Sequence, residues 1–140
     1  MNFNFKTTLF YLAIGSMVAL SSCKDDEPEA TPAKPTISNL EVGEENSKEA
    51  LVGADLHLDA EIVAPGKIDK IKVDLHPESG TGEDIEAEYT EYAGLLNADF
   101  HKDLDIPSTV DTGEYHLDLT VIDQRGQSTS VEADVMIKAQ

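Results

Sequence analysis

Residues 111–121 read DTGEYHLDLTV, and this stretch decides the fold class that the sequence predicts. Apolar residues at every second position from Tyr115 to Val121 alternate with polar ones, which is typical of a β-strand with one buried and one exposed face. Asp111, Gly113 and Tyr115 resemble a tyrosine corner, in which the tyrosine hydroxyl bonds the backbone a few residues upstream. The stretch therefore predicts a long strand of a two-sheet sandwich, entered at a crossing between the sheets.

The same alternation recurs along most of the chain, and none of the alternating segments has a helical pattern. Further predicted strands cover residues 37–42, 54–62, 67–76, 97–104 and 129–138, and a short one could form at 85–89 within the long acidic connection 77–96. Turn sequences occupy residues 64–67 and 123–126. We therefore expect an all-β, immunoglobulin-like β-sandwich of about seven strands. Leu117 lies where antibody domains often carry a cysteine, so this sandwich lacks their inter-sheet disulfide.

The N-terminal residues resemble an export signal. Lys6 supplies a positive charge, and residues 9–20 form an apolar run that is shorter than the ~20 residues needed to cross a bilayer. The sequence Leu-Ser-Ser before Cys23 resembles a lipobox, and Cys23 is the only cysteine of the chain. We expect cleavage before Cys23 and attachment of lipid, such as palmitate, to this residue. The alternative is a buried or free thiol.

The residues after Cys23 are acidic and rich in proline. Residues 24–27 read KDDE and resemble the signal that sends Bacteroidetes lipoproteins to the outer face of the outer membrane. A periplasm-facing anchor and a plain solvated linker are the alternatives. The predicted organisation is a cleaved signal peptide at 1–22, a lipidated cysteine and acidic, proline-rich linker at 23–35, and one immunoglobulin-like domain at 36–140.

The chain has 28 acidic residues against 10 lysines and arginines, a formal net charge of −18. Such a surface repels phosphate backbones, which excludes nucleic-acid binding as a function. It attracts cations and basic partners, although solubility alone could also account for it. The chain has no glycine-rich phosphate loop, no Gly-x-Ser-x-Gly elbow and no EF-hand calcium loop. We therefore do not expect an enzyme.

All four histidines occupy polar positions of predicted strands. They are His57, His76, His101 and His116. In an immunoglobulin-like sandwich the strands that carry His76 and His116 are antiparallel neighbours in one sheet, and those that carry His57 and His101 are neighbours in the other. The sequence therefore predicts two cross-strand pairs on opposite outer faces.

Each histidine pair could hold a metal ion. Imidazole suits Zn, Cu, Ni or Fe, and nearby carboxylates could complete the coordination; the candidates are Asp59, Asp74, Asp99 and Asp118. One site containing all four histidines is hard to build, because the two sheets of a sandwich pack ~10 Å apart. The alternative is that these are ordinary exposed histidines without a ligand.

Several stretches of the chain together resemble a Bacteroidetes lipoprotein family catalogued as domain of unknown function 4625. They cover residues 34–41, 53–62, 68–77, 100–107 and 113–116. The resemblance implies an immunoglobulin-like envelope lipoprotein with histidines at the four positions above, and it supplies no activity. It also implies a further histidine in some relatives close after His101, where this chain has Lys102 and Asp103.

Two functions follow as expectations. The first is an envelope lipoprotein that captures a transition metal, or a metal-bearing ligand, through surface histidines and serves an outer-membrane transporter. The second is an interaction module that docks a surface protein or a glycan through loops such as 77–96. In both, the lipid anchor holds the domain at the membrane.

Overall fold

The computed structural model describes Ala30 and residues 32–140, and these residues form two β-sheets packed face to face. The strands are β1 Thr36–Val42, β2 Glu49–Leu51, β3 Asp55–Val63, β4 Ile68–Pro77, β5 Ile85–Tyr89, β6 Asn97–Asp105, β7 Gly113–Asp123 and β8 Ser128–Lys138. A one-turn 3₁₀ helix at Glu44–Asn46 is the only helix in this part of the chain, and no helix there is long and apolar enough to cross a membrane.

The strand order is β1-β3-β6 in one sheet and β2-β8-β7-β4-β5 in the other. All pairs are antiparallel except β2 with β8, which is parallel. The predicted immunoglobulin-like sandwich and the short strand at 85–89 are confirmed. The described residues contain eight strands where about seven were expected. The additional strand is β2, whose three residues are too few to give a recognisable alternation.

Apolar side chains on the inner faces of both sheets fill the core. The largest fully buried ones include Leu56, Leu58, Ile62, Ile71, Leu75, Phe100, Tyr115, Leu117 and Leu119. Because successive side chains of a strand point to opposite faces, the polar residues between them are forced to the outer faces. The burial pattern of β7 alternates over its whole length in this way. This alternation is what places the histidines outside.

Tyr115 forms the predicted tyrosine corner. Its hydroxyl donates a hydrogen bond to the carbonyl oxygen of Asp111 at 3.0 Å, and the residue is 1% exposed. A buried hydroxyl needs such a partner, since an unpaired one would cost about 1–3 kcal/mol. The bond therefore fixes the segment that leads into β7.

Asp123 organises the predicted turn between β7 and β8. Its Oδ1 accepts hydrogen bonds from the amides of Arg125 at 2.9 Å and Gln127 at 2.8 Å, and the residue is 1% exposed. Gly126 has a φ of 80°, in the left-handed region that favours glycine. This arrangement confirms a tight hairpin at 123–126.

The connection 77–96 is held to the sandwich on both sides of β5. After β5, Lys102 bonds Glu91 at 2.7 Å and lies over the rings of Tyr89 and Tyr92, 5.7 and 5.6 Å from their centroids. Lys102 therefore has a packing role at the edge of the sandwich and does not share the outer face of His101.

The described residues that precede β1 lie against β8. The carbonyl oxygen of Pro32 accepts a hydrogen bond from Nε2 of Gln127 at 2.9 Å, and that of Pro35 accepts one from Oγ1 of Thr129 at 2.6 Å. These contacts fall within the segment 23–35 that was predicted as linker. The predicted signal peptide at 1–22, the lipidation of Cys23 and the export signal at 24–27 lie outside the described residues.

Candidate metal sites

The four histidines lie on the two outer faces of the sandwich. His57 in β3 and His101 in β6 share the face of the three-stranded sheet, and His76 in β4 and His116 in β7 share that of the five-stranded sheet. The predicted pairs are both formed, and the buried core separates them. The described residues hold no site that contains all four.

The first pair forms a compact cluster with two aspartates, and we call His57, Asp59, His101 and Asp103 the β3–β6 site. The ring centroids of His57 and His101 are 4.5 Å apart at an interplanar angle of 71°. The two histidines are diagonal neighbours, because the register pairs His57 with Asp103 and Asp59 with His101. The predicted cross-strand pair is therefore formed, as a diagonal one.

Three short hydrogen bonds connect the four side chains of the β3–β6 site. Nδ1 of His57 lies 2.8 Å from Oδ1 of Asp103, and its Nε2 lies 2.7 Å from Oδ2 of Asp59. Nδ1 of His101 lies 2.7 Å from Oδ1 of Asp59. Ionised carboxylates only accept hydrogen bonds, so both nitrogens of His57 donate and its ring is an imidazolium in this arrangement.

The protonation of the β3–β6 site follows from these bonds. Hydrogen bonds to Asp103 and then to Asp59 raise the pKa of His57 above its ordinary value. Burial raises the pKa of Asp59, but the hydrogen bonds from His101 and His57 outweigh burial, so the net pKa of this carboxyl is lowered. Without a metal, a proton on His57 thus takes the place of a cation between two carboxylates.

The surroundings of the β3–β6 site carry negative charge only. The outward positions of β3 and β6 hold no lysine or arginine, and their acidic members are Asp55, Asp59, Glu61, Asp99, Asp103 and Asp105. Asp55 lies directly opposite Asp105, and Glu61 lies directly opposite Asp99. Like charges in directly opposed positions destabilise a sheet, so this face gains stability from a bound cation.

The β3–β6 site borders an open cleft of about 700 Å³. The cleft is lined by His57, Asp103 and Asp55 and by residues from the segment 43–51. The amide of Gly43 donates to the carbonyl oxygen of His57 at 2.7 Å, which joins that segment to β3. An ion at the site would therefore remain accessible to solvent on the cleft side.

The geometry of His57, Asp59 and His101 suits a divalent ion. One ligand atom from each can be chosen so that all three lie within 4.8 Å of one another. Bonds of about 2.0–2.2 Å to a tetrahedral ion place its ligand atoms about 3.3 Å apart, so modest side-chain rotations suffice. Asp103 could then accept a hydrogen bond from Nδ1 of His57 while Nε2 of that ring binds the metal, as in carboxylate–histidine–metal arrangements.

The second pair has the register that the topology predicted. His76 lies directly opposite His116, with ring centroids 5.4 Å apart. Nδ1 of His116 lies 3.3 Å from Oδ1 of Asp134, its Nε2 lies 3.6 Å from Oε2 of Glu132, and Nδ1 of His76 lies 3.8 Å from Oδ1 of Asp74. The hydrogen bond to Asp134, with the nearby negative charges, raises the pKa of His116.

Only one histidine of the second pair converges with carboxylates in the described part of the chain. His116 belongs to two groups of possible ligands, one with Glu78 and Asp134 and one with Asp118 and Glu132. His76 belongs to none of the groups found there, although it was predicted as a metal ligand. It instead faces the ring of His116.

Asp59 and Asp118 were predicted from the sequence as possible ligands, and both lie in the groups described above. Four acidic residues near the histidines were not predicted: Asp103, Glu132, Asp134 and Glu78. Asp103 could have been found, because residues two apart in a strand share a face and Asp103 follows His101 at that spacing. The partners of His116 depend on the register of β8 against β7, which the predicted hairpin turn at 123–126 constrains, so Asp134 could also have been found. Asp99 faces Glu61 and takes no part in these groups.

The model of the family described as domain of unknown function (DUF4625) matches residues 21–138. No curated protein matches the chain.

Proposed function

This chain belongs to the DUF4625 family, and because that family carries no assigned activity we propose a function from the geometry of the site: capture of a divalent transition-metal ion at the β3–β6 site. The observation that carries the proposal is the convergence of two imidazoles and one carboxylate, His57, His101 and Asp59, within 4.8 Å on a face without lysine or arginine.

The mixture of ligands indicates the class of ion. Two nitrogen ligands favour Zn, Cu, Ni or Fe over Ca or Mg, which prefer oxygen-only sites. The carboxylate of Asp59 supplies negative charge, and that of Asp103 can hold the ring of His57 in the required orientation. The open cleft beside His57 leaves room for water or a further ligand on the ion.

Metal and protons compete for this site. His57 donates from both nitrogens, so an ion can bind its Nε2 only after displacing the proton there. The raised pKa of His57 strengthens the competition, and capture is therefore weaker in acid and releases protons. A pH rise would load the site and a pH fall would unload it.

The surrounding charge favours a free hydrated cation over a metal already held by an anionic chelator. Four acidic residues line the cleft: Glu44, Glu49, Asp55 and Asp103. Among the described residues, only Glu49 of these four has a lysine partner, Lys138. An anionic chelate would meet this negative potential on approach, whereas a bare divalent ion is attracted by it.

We place this capture at the bacterial envelope. The lipobox-like residues before Cys23 support lipidation there, and residues 24–27 support export to the outer face of the outer membrane, with a periplasm-facing anchor as the alternative. A lipoprotein at this location could pass its ion to an outer-membrane transporter. No reaction is proposed, so the protein would be a binding protein and not an enzyme.

A second candidate function is contact with a surface protein or glycan. Leu95 and Leu96, which follow β5, are 46% and 50% exposed, and Val63 nearby is 46% exposed. The amide of Ala64 donates to the carbonyl oxygen of Leu96 at 2.7 Å, which brings these side chains to one end of the sandwich. An exposed apolar patch of this kind favours a protein partner.

The deciding experiment is metal titration of the full chain, purified without chelator and followed by native mass spectrometry and calorimetry. We expect the unmodified chain to bind one equivalent of Zn²⁺ at this site, and the double variant His57→Ala, His101→Ala to lose that equivalent. The matched control, Glu61→Gln with Asp99→Asn, removes two charges from the same strands outside the ligand group and should retain the ion. Absence of retained Zn²⁺, Cu²⁺, Ni²⁺ or Fe²⁺ in the unmodified chain, or equal binding by both variants, would refute the proposal.

A further inference from the structure

A row of carboxylates crosses the outer face of the five-stranded sheet. Glu86 of β5 lies opposite Asp74 of β4, Asp74 lies opposite Asp118 of β7, and Asp118 lies opposite Glu132 of β8. Four acidic side chains thus occupy one line across four adjacent strands. Such opposed like charges destabilise a sheet unless a cation lies among them.

The amines nearest to this row are engaged elsewhere. Lys70 and Lys72 both contact Oε2 of Glu88, at 3.1 and 3.8 Å. Within the row, Oδ1 of Asp74 accepts no hydrogen bond from the described residues, although the side chain is 46% exposed and Nδ1 of His76 lies 3.8 Å from this oxygen. Asp74 lies between Glu86 and Asp118, and a cation at this row would relieve the repulsion among the three carboxylates.

His116 adds an imidazole beside the row and is oriented for coordination. Its Nδ1 donates to Oδ1 of Asp134 at 3.3 Å, which leaves Nε2 facing Oε2 of Glu132 at 3.6 Å. Histidines that bind metal usually donate their other ring N–H to a carboxylate in this manner. One ligand atom each from His116, Asp118 and Glu132 can be chosen within 4.8 Å of one another.

We propose that His116, Asp118 and Glu132, here called the β7–β8 site, form a second metal site, independent of the β3–β6 site. One nitrogen and two carboxylate oxygens make it richer in oxygen than the β3–β6 site, with its two imidazoles. Carboxylates and water suit Mn²⁺, and imidazole with carboxylates suits Fe²⁺, so the ion is of the Mn²⁺ or Fe²⁺ class. The two sites lie on opposite faces of the sandwich and bind their ions without sharing a residue.

The β7–β8 site is tested with Mn²⁺, whose free form gives an electron paramagnetic resonance signal that is lost on binding. The full chain is first loaded with Zn²⁺ and then titrated with Mn²⁺. We expect one further equivalent to bind. Glu132→Gln should weaken this binding at least about tenfold, because loss of a mere orienting partner already costs that much. The side chain of Glu132 is 65% exposed, so the substitution does not threaten the fold.

Two comparisons separate this site from its surroundings. Glu86→Gln removes a charge at the far end of the same row and should leave Mn²⁺ binding within about threefold, since screening weakens distant surface charges. The double variant His57→Ala, His101→Ala, titrated with Mn²⁺ without prior Zn²⁺, should bind Mn²⁺ as the unmodified chain does. Equal effects of Glu132→Gln and Glu86→Gln, loss of Mn²⁺ binding in the histidine double variant, or no Mn²⁺ binding at all would each overturn the second site. None of these outcomes bears on Zn²⁺ binding at the β3–β6 site.

Discussion

Replacement of Asp103 by asparagine isolates the residue that orients His57. The carboxylate lies 2.8 Å from Nδ1 of His57 and is not a member of the ligand group His57, Asp59 and His101. Loss of such a partner typically costs metal affinity about 10–100-fold, or about 1.4–2.8 kcal/mol. We expect a loss of that size for Zn²⁺ at pH 8, where protons compete little.

At lower pH the same substitution has a second and opposite effect. Asp103 is the main cause of the raised pKa of His57, so Asp103→Asn lowers that pKa and weakens the competition from protons. Below the pKa of His57, each pH unit costs the unmodified chain about tenfold in apparent affinity, because one proton must leave for one ion. The loss caused by Asp103→Asn should therefore be smaller at pH 6 than at pH 8.

Isothermal titration calorimetry in buffers of different ionisation enthalpy measures both the affinity and the number of protons released. We expect about one proton per Zn²⁺ at pH 6 for the unmodified chain, and fewer for Asp103→Asn. Asp105→Asn is the matched control, since Asp105 is an outward aspartate of the same strand that faces Asp55. An equal loss at both pH values, or no proton release at pH 6, would refute the role given to Asp103.

Three further predictions concern stability. In the presence of chelator, the free energy of unfolding should fall by up to about 1 kcal/mol as the pH rises from 5.5 to 8.5. The raised pKa of His57 contributes stability that is complete below pH 6.5, the ordinary value, and is lost as the pH passes the pKa of the folded state. Denaturant titration at the two pH values checks this, and His57→Gln should reduce the fall in unfolding free energy. Asp118→Asn should raise the melting temperature of the metal-free protein, because it relieves repulsion from Asp74 and Glu132. A melting temperature below that of the unmodified chain, measured by calorimetry, would contradict the claim that this row of like charges destabilises the sheet. Tyr115→Phe should lower the free energy of unfolding, measured by denaturant titration, by about 1 kcal/mol, whereas Tyr89→Phe should lower it by less. Equal decreases would show that the hydrogen bond from Tyr115 to Asp111 contributes nothing to stability.

The fold was predictable because its strands are long and one face of each is buried. The alternation from Tyr115 to Val121 specifies both a strand and the face it buries, and the turn at 123–126 specifies its neighbour. Knowledge of the topology then sufficed to place His76 opposite His116. A strand of three residues such as β2 carries no comparable signal, since its pairing is decided by β8.

The sites were predictable in part, because a site depends on register as well as on the face of a strand. The alternation of inward and outward positions along each strand places all four histidines on the outer faces of the sandwich. A long connection separates β3 from β6 in the sequence, so the sequence does not specify their register. A shift of two residues in that register would change the observed diagonal pair of His57 and His101 into a directly opposite one. Asp103 and Asp134, which orient the rings, were not identified from the sequence, although the two-residue spacing from His101 and the hairpin turn at 123–126 point to them.

The bonds from Gln127 to Pro32 and from Thr129 to Pro35 hold the described N-terminal residues at one end of the sandwich. The chain enters beside the β7–β8 turn. His116 lies near the start of β7, about 23 Å from that turn at about 3.3 Å per residue. His57, near the start of β3, and His76, near the end of β4, also lie towards the far end. If the chain is held at a membrane through Cys23, as we propose, this polarity would turn His57 and His116 away from the membrane, whereas Asp59, His101 and Asp118 lie at the middle of their strands.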